Sequence, residues 1–266
     1  MSESGTTNLI EMRGIEKHFG RVVALNGVDL EVREGEIMGL LGDNGSGKST
    51  LIKTLVGVHQ PDAGEVFIRG EQVHISNPKE ARKYGISTVY QDLALVDTLS
   101  VSANMFLARN PMKRYAGISV VDWETMNEQA EEIIRSRLNL EIDPTARVEF
   151  LSGGERQAVA IARSLVTDPD LVIMDEPTSA LSADSARRVR DLIQTLNDEG
   201  ITVLLITHNM DEVFALTDRV TILDSGDLVG TVDTDRVTKE DIVQMMVSGE
   251  MPASIQDTTG DTEAHA

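Results

Sequence analysis

The residues best suited to phosphate chemistry lie in a glycine-rich segment, GDNGSGKST, at residues 42–50. The segment satisfies the pattern G-x-x-x-x-G-K-[ST], which binds nucleotide phosphates when a strand precedes it and a helix follows. Successive backbone N–H groups point at phosphate oxygens, the lysine adds a positive charge, and the hydroxyl after it can ligate Mg²⁺. The predicted nucleotide-binding residues are therefore Gly42, Asp43, Asn44, Gly45, Ser46, Gly47, Lys48, Ser49 and Thr50.

Two adjacent carboxylates, Asp175 and Glu176, follow the apolar run LVIM. In an open parallel sheet, ligand-binding groups lie at the carboxyl ends of the strands. We therefore expect Asp175 to hold Mg²⁺, directly or through water, and Glu176 to act as general base on the attacking water. Without the glycine-rich segment upstream, solvated loop acids would be the simpler interpretation.

Three further candidates depend on their position near the ends of predicted strands. Gln91 follows ISTVY and can sense the metal or the water through its amide. His208 follows ITVLLIT and can hydrogen-bond the terminal phosphate. Phe19 precedes Gly20 in a turn, where its ring either stacks on an adenine or packs on the sheet. Isolated residues of these types more often fill surfaces, cap elements or pack in the core.

A second glycine-rich segment, LSGGERQ at residues 151–157, has no lysine. Ser152 and Glu155 have the spacing of a capping box, which predicts the start of a helix. A capping box does not need Gly153 and Gly154, each of which costs about 0.5–1 kcal/mol relative to alanine in a helix. We infer that they open an anion site at the helix N-terminus. Two head-to-tail copies of the chain would then share ATP across a dimer interface.

The elements that must position these residues alternate between strands and helices. EIMGLL enters the first glycine-rich segment, and the apolar runs LVIMDE and ITVLLITH flank a helical segment. Fully apolar strands separated by helices predict an α/β fold with a parallel sheet covered on both faces. Near the N-terminus, VALNGVDLEV reads as two strands joined by a turn at Asn26-Gly27, which contributes to an antiparallel β subdomain.

Helical periodicity replaces this alternation between residues 91 and 150, where we expect no strand. The pattern predicts a helical subdomain, at about residues 92–165, inserted in a single domain of residues 9–250. Residues 1–8 are expected to form a flexible N-terminus, and residues 251–266 a disordered acidic tail.

Composition narrows the class of protein. The net charge of −20 argues against nucleic-acid binding, because a phosphate backbone attracts the opposite sign. It also suggests a surface suited to a salt-rich cytoplasm, although an ordinary acidic surface explains it as well. The chain has no cysteine, no run long enough to span a membrane and no secretory signal at its start, so we expect a cytoplasmic protein.

GDNGSGKST, YQD, LSGGERQ, LVIMDEP and ITHN, in this order, resemble the ATP-binding subunit of ABC transporters over residues 9–249. The resemblance implies the ABC ATPase fold, with a P-loop NTPase core, and hydrolysis of ATP with Mg²⁺. It places an adenine-stacking aromatic at Phe19. It assigns to the nucleotide of the same chain Lys48, Ser49, Gln91, Asp175, Glu176 and His208. It assigns to the nucleotide of the partner chain Ser152, Gly153 and Gly154.

GDNGSGKSTLIKTLVGVHQPDAGEVFIRG, YGISTVYQDLALVDTLSVSANMFLAR and VIMDEPTSAL are more specifically similar to monosaccharide importers of the ribose, xylose and fructose kind, in their single-domain form. This implies a homodimer at the cytoplasmic face of the membrane, bound to permease subunits and served by an extracytoplasmic solute-binding protein. Ser182 stands where many members of the family have aspartate. The docking groove for the permease would involve Leu93, Leu95, Val96, Met105 and Phe106, although core packing explains most of these.

Three alternatives remain at this point. An importer of another solute, such as an amino acid or a lipid, has the same motifs. A soluble ABC-type ATPase of DNA repair or translation predicts basic surface or long coiled-coil inserts, which this sequence lacks. A P-loop GTPase or kinase leaves LSGGE unexplained, and a GTPase also needs an N-K-x-D motif that is absent.

Overall fold

A computed structural model describes residues 7–252. The strands within this range are, in chain order, β1 (Asn8–Phe19), β2 (Val22–Arg33), β3 (Ile37–Leu41), β4 (Ala63–Ile68), β5 (Glu71–Val73), β6 (Ile86–Val89), β7 (Met112–Tyr115), β8 (Ile118–Val121), β9 (Leu171–Asp175), β10 (Thr202–Ile206), β11 (Arg219–Asp224) and β12 (Asp227–Asp233). The helices are α1 (Lys48–Leu55), α2 (Pro78–Lys83), α3 (Val101–Met105), α4 (Trp123–Glu132), α5 (Gly153–Leu165), α6 (Ala183–Asp198), α7 (Met210–Leu216) and α8 (Lys239–Ser248). Most of the predicted flexible N-terminus (residues 1–8) and tail (residues 251–266) lies outside the described part, and Asn8 belongs to β1.

The described chain divides into two compact units, residues 7–84 with 202–252, and residues 85–201. In the first unit, β3 runs parallel to β10 on one side and to β11 on the other, and β12 pairs antiparallel with β11. Every residue of β3 and β10 is buried, as expected for strands whose faces are both covered. The predicted run of apolar parallel strands is confirmed here.

The first unit also contains an antiparallel sheet in the order β2-β1-β4-β5. The predicted turn at Asn26-Gly27 is wrong, since both residues lie inside β2. Gly27 has φ +68°, and the pairing with β1 shifts register beside it, from Ile15↔Val28 to Lys17↔Leu25. A glycine in the left-handed region can form a bulge as readily as a turn, so the strand continues past it.

The second unit contains the parallel pair β6 and β9 together with α3, α4, α5 and α6. The expectation of no strand between residues 91 and 150 is wrong, because β7 and β8 form an antiparallel hairpin there. Its loop is Ala116-Gly117, with φ of +50° and +86°, and two consecutive positive φ values suit the right-handed twist of a tight hairpin. Residues 112–120 are all exposed.

Polar side chains cap the starts of several helices. Asn77 caps α2, and its side chain accepts hydrogen bonds from the N–H groups of Lys79 and Glu80, both at 3.1 Å. Thr238 and Asp241 form a capping box at the start of α8. Within residues 7–252, no helix combines the length and apolar character needed to cross a bilayer.

Candidate functional site

The first glycine-rich segment leaves β3 and enters α1 within the first unit. At Gly42, φ is +157°, and a Cβ would lie 2.3 Å from the carbonyl oxygen of Leu223 and 2.4 Å from Ser46 Oγ. At Gly47, which caps α1 with φ +107°, a Cβ would lie 2.8 Å from the carbonyl oxygen of Ala24. Only glycine fits these two positions, because backbone atoms cannot withdraw from a Cβ.

Lys48 is the first residue of α1 and is only 7% exposed. Its Nζ donates to the carbonyl oxygen of Gly42 at 2.6 Å and to that of Asp43 at 2.9 Å. The segment therefore curves around the ammonium group. Asp43, Asn44, Gly45 and Ser49 are exposed around it, so the positive charge and the start of α1 are surrounded by accessible backbone.

Ser46 Oγ is buried and has no hydrogen-bond partner among residues 7–252. Its backbone is held on both sides, since its N–H donates to Asp43 at 3.1 Å and its carbonyl accepts from Gly226 N–H at 3.1 Å. Buried hydroxyls normally have a partner. A fixed segment with an unsatisfied polar atom is consistent with a loop that binds a polar ligand.

His208 is exposed just beyond β10. The buried residue before it, Thr207, donates its hydroxyl to Glu212 at 2.7 Å and accepts from the N–H of Asn209 at 3.0 Å. Asn209 in turn caps α7. The backbone on both sides of His208 is thus fixed. Sequence reasoning missed Thr207 and Glu212, because a glutamate in the first turn of a short helix reads as an exposed acid.

Phe19 is the last residue of β1 and is 45% exposed. Its ring meets the ring of His59 edge-on, with the centroids 5.1 Å apart, and Lys17 Nζ lies 5.6 Å from its centroid. The Phe19 ring therefore has one aromatic and one cationic neighbour, while nearly half of its side chain is exposed and accessible to a ligand. Both earlier interpretations, packing and stacking, are compatible with this position.

The carboxylate pair lies in the second unit. The register of β6 and β9 pairs Val89 with Met174, so Gln91 and Glu176 both stand two residues beyond that pair. Gln91 Nε2 lies 3.5 Å from Glu176 Oε2, at the upper limit for a hydrogen bond. Asp175 ends β9 and is half-buried. The structure therefore brings these three predicted residues together at one strand end.

Glu176 has φ +47°, in the left-handed region where a residue with a side chain is uncommon. The turn that follows is closed by Ser179, whose N–H and hydroxyl both donate to the Glu176 carbonyl, at 3.3 and 3.1 Å. The conformation turns the chain sharply after Asp175. As a result, the side chains of Asp175 and Glu176 do not point to opposite faces, as successive side chains of a regular strand would.

The second glycine-rich segment begins α5 with the predicted capping box. Ser152 Oγ donates to Glu155 Oε2 at 2.7 Å, the Ser152 N–H donates to the same oxygen at 2.8 Å, and the Glu155 N–H donates to Ser152 Oγ at 3.3 Å. The two hydrogen bonds from Ser152, first from its hydroxyl and then from its N–H, lower the pKa of the Glu155 carboxyl. Both hydrogen bonds that define a capping box are therefore present, as the capping interpretation predicts.

The two glycines of this segment also have a packing reason within the chain. A Cβ at Gly153 would lie 3.2 Å from Leu181 Cδ2, and a Cβ at Gly154 would lie 3.2 Å from Ser185 Cβ. The N-terminal turn of α6 thus packs closely on the start of α5. Ser182 caps α6, where its hydroxyl accepts from the Ser185 N–H at 3.4 Å. The role of the glycines toward a second copy stays a prediction.

The residues expected at a docking groove for the permease differ in how deeply they are buried. Met105 and Phe106 are 1% and 5% exposed and belong to the core, whereas Leu93 and Leu95 are half-buried and Val96 is 39% exposed. An aromatic residue that sequence reasoning missed, Phe150, is 78% exposed beside the LSGG segment. The sequence signal for it is an aromatic side chain two residues before the helix cap Ser152.

A family model described as ABC transporter matches residues 25–179. The xylose/arabinose import ATP-binding protein of Sulfolobus acidocaldarius is 41% identical over 243 residues, which cover 91% of this chain and 95% of that protein. A ribose import ATP-binding protein of Rubrobacter xylanophilus is 45% identical over 239 residues, or 90% of this chain but only 47% of that protein. The chain spans about half the length of the ribose import relatives.

Solved structures confirm the fold. A nucleotide-free ATP-binding cassette from an ABC transporter superposes with a TM-score of 0.77 at 27% identity, covering 95% of this chain and 98% of that chain. A dimeric cassette in a post-hydrolysis state with ADP and Pi gives a TM-score of 0.70 at 26% identity, covering 85% and 98%. Together with a relative that is matched over 95% of its length, these similarities establish that the chain belongs to the ABC transporter family.

Proposed function

We propose that this chain is the ATP-hydrolysing subunit of an importer for a monosaccharide. The observation that carries the ATPase assignment is the loop of residues 42–48. Its backbone carbonyl groups surround the buried Lys48 ammonium, and it contains two positions, Gly42 and Gly47, that accept only glycine. The sugar is supported by relatives named for ribose import and for xylose/arabinose import.

The reaction proposed is transfer of the terminal phosphoryl group of ATP to water. Lys48 and the N–H groups at the start of α1 neutralise phosphate charge, while Glu176 accepts a proton from the attacking water and Gln91 holds the Glu176 carboxylate in place. His208 donates to the terminal phosphate. A second copy supplies Ser152, Gly153 and Gly154 at the opposite side of that phosphate.

The residues present fit a magnesium ion that is bound jointly with phosphate oxygens. Within residues 7–252, no group of three or more His, Cys, Asp or Glu side chains can hold a metal ion by itself. Mg²⁺ commonly binds through one or two carboxylates together with substrate phosphates. We expect Asp175, Ser49 and Gln91 to offer oxygen ligands to such an ion. When bound, Mg²⁺ would neutralise charge on the phosphates.

The proposed partners are permease subunits in the membrane, a second copy of the chain, and, indirectly, an extracytoplasmic solute-binding protein. The dimeric cassette bound to ADP and Pi supports a dimer of this family. The half-buried Leu93 and Leu95 and the exposed Val96 offer a small apolar surface to a permease loop. This arrangement would place the chain at the cytoplasmic face of the membrane.

A second candidate keeps the ATPase and changes the solute to an amino acid or a lipid, because none of the proposed catalytic residues contacts cargo. Uptake of labelled ribose, xylose and an amino acid should be compared in cells that lack the gene and carry either the wild-type chain or Lys48→Ala. The sugar proposal expects loss of pentose uptake alone. Loss of amino-acid uptake with normal pentose uptake would favour the second candidate.

The shared-site mechanism is tested with Glu176→Gln. Removal of a general base costs about 100- to 10,000-fold in rate, so this variant should bind ATP, form a stable dimer and hydrolyse ATP at no more than about 1% of the wild-type rate. Sedimentation with and without saturating ATP measures the dimer. Glu131→Gln, an exposed substitution on α4, is the matched control and should hydrolyse normally. A monomer at saturating ATP would refute the shared site.

A further inference from the structure

The segment that follows Gln91 has no regular secondary structure through residue 97, yet it is held firmly. Ala94 has φ +47°, and its N–H donates to Asp92 Oδ1 at 3.1 Å, which closes a tight turn. The N–H of Val96 donates to the buried Asn104 side chain at 2.7 Å, and that side chain returns a hydrogen bond to the Val96 carbonyl at 3.0 Å. The turn leaves the carbonyl groups of Leu93 and Ala94 to be satisfied from elsewhere.

Arg163, in the last turn of α5, donates to both of these carbonyl groups. Its Nη2 lies 2.6 Å from the oxygen of Leu93, and its Nη1 lies 2.9 Å from the oxygen of Ala94. The guanidinium has planar donors in a fixed fork, which fits two adjacent acceptors better than a single ammonium does. One side chain thus fixes two consecutive peptide groups.

The guanidinium is held there at an energetic cost. Burial is the main cause that lowers the pKa of Arg163, and the charge of the neighbouring Arg109 adds to it. Its two hydrogen bonds to the turn go to carbonyl oxygens, which carry no full negative charge. A cation that is partly removed from water needs good hydrogen bonds to offset the lost hydration, so the Arg163 guanidinium favours this geometry of the turn.

The same helix holds the far end of the segment. Arg156, two turns nearer the N-terminus of α5, lies 3.0 Å from Asp97, with Arg156 Nη1 facing Asp97 Oδ1. Between the two arginines, α5 is anchored by Val159 and Ile161, which are fully buried. The helix that begins with Ser152-Gly153-Gly154 therefore grips residues 93–97 at both ends.

We propose that Arg163 is a positioning residue that ties Gln91 to the helix carrying the second glycine-rich segment, so that Gln91 and this segment move as one body. The inference rests on the proposed function, in which Gln91 positions the Glu176 carboxylate and the segment binds the phosphate held by a second copy. Arg163 itself touches neither. A change on the segment at the dimer interface is transmitted through α5 to the turn after Gln91, and from Gln91 to Glu176.

The test compares Arg163→Met and Arg163→Lys with the wild-type chain. Loss of hydrogen bonds to a charged group is expected to lower kcat about 10- to 100-fold in Arg163→Met, while the Kd for ATP changes less than about twofold. Arg163→Lys, which keeps the charge with one compact donor group, should recover part of kcat. Arg135→Met, an exposed arginine whose ion pair with Glu131 is 3.5 Å long, is the matched control and should behave as wild type.

Hydrogen exchange measured by mass spectrometry gives a readout that does not depend on turnover. Peptides covering residues 90–98 should exchange at least about tenfold faster in Arg163→Met than in wild type, while those of β9 and α6 are unchanged. If Arg163→Met does not fold, the same comparison is made on Arg163→Lys, with a smaller expected increase.

Two outcomes would overturn the proposal. One is a folded Arg163 variant with wild-type kcat and wild-type exchange at residues 90–98. The other is a loss of activity with uniformly faster exchange across residues 85–201, which would make Arg163 a general stability residue. Both are distinguishable from failure of the proposed function, in which the wild-type chain itself neither binds nor hydrolyses ATP.

Discussion

Lys48 shows how far residue types and spacing predict a site. The G-x-x-x-x-G-K-[ST] pattern placed this lysine at the start of a helix after a buried strand, and the structure has it there. The spacing also placed Ser152 and Glu155 in a capping box, which forms with all its hydrogen bonds. In both cases the prediction depended on local backbone geometry, which a few neighbouring residues determine.

Other features of single residues could not be predicted from the sequence, because they depend on contacts that the local pattern does not specify. The positive φ of Glu176 depends on the turn closed by Ser179, and the two hydrogen bonds of Arg163 depend on carbonyl groups about 70 residues away. The sequence does carry a signal for Arg163, since it is the single charged residue in the segment AVAIARSLV. It does not say which acceptors would meet that charge.

A substitution at Lys48 tests the phosphate loop directly. Lys48→Ala removes the ammonium that the loop surrounds, so we expect ATP affinity to fall by about 100-fold or more, as when a close charge–phosphate contact is lost. A fluorescent ATP analogue titrated against the protein measures Kd. Lys53→Ala, in the last turn of the same helix and exposed, is the control. Equal affinity in the two variants would contradict the assignment of this loop.

At the scale of elements, the misassigned segments have a common cause. Asn26-Gly27 was interpreted as a turn, and the hairpin at residues 112–121 was interpreted as part of a helical region. A two-residue signal specifies a left-handed backbone but not whether the chain reverses there or bulges. That choice depends on pairing with β1 in one case and between two four-residue strands in the other, and such short strands leave little periodicity to detect.

The start of α5 has a pH dependence that can be measured. The pKa of Glu155 is lowered by the hydroxyl and N–H of Ser152, so the unfolded state binds the proton more tightly. The stabilisation is therefore complete above the ordinary value of 4.5 and is lost as the pH falls through the lower pKa of the folded state. We expect Glu155→Ala to lower the free energy of unfolding by about 0.5–1 kcal/mol at pH 7, reduced by solvent screening at this accessible site.

Urea unfolding of wild type and Glu155→Ala between pH 7 and pH 3 measures this difference, which should shrink as the wild-type carboxyl is protonated. Glu131→Ala, on the exposed face of α4, provides the comparison for loss of an ordinary surface acid. A Glu155→Ala difference that stays constant over the whole range would show that the carboxylate does not act through its charge.

The charge of the whole molecule sets its response to salt. With 44 acidic and 24 basic residues, the folded chain carries a net charge of −20. Self-repulsion at this level opposes the compact state, and mobile ions screen it over about 8 Å at physiological ionic strength and about 3 Å at 1 M. The acidic composition was read from the sequence alone, and no single contact is needed for this effect.

We therefore expect the melting temperature to rise by about 5 °C, equivalent to roughly 2 kcal/mol, between 0.1 M and 2 M potassium chloride. Chloride is preferable to sulfate, because sulfate strengthens apolar burial in any protein. Differential scanning calorimetry at both concentrations measures the shift. A melting temperature that is flat or falls with potassium chloride would rule out a surface adapted to high salt.

The β7–β8 hairpin joins the rest of its unit through two neighbouring points. The N–H of Asp122 donates to the carbonyl of Pro111 at 2.8 Å, so the chain leaves and returns at almost the same place. Residues 112–120 are exposed throughout, and Lys113 among them forms an ion pair with Asp122, the residue that caps α4. The ten residues between those two anchors can thus be shortened, lengthened or replaced by a foreign peptide without cutting the core. We therefore expect this hairpin to tolerate variation in sequence and length, and to accept the insertion of a tag or a reporter.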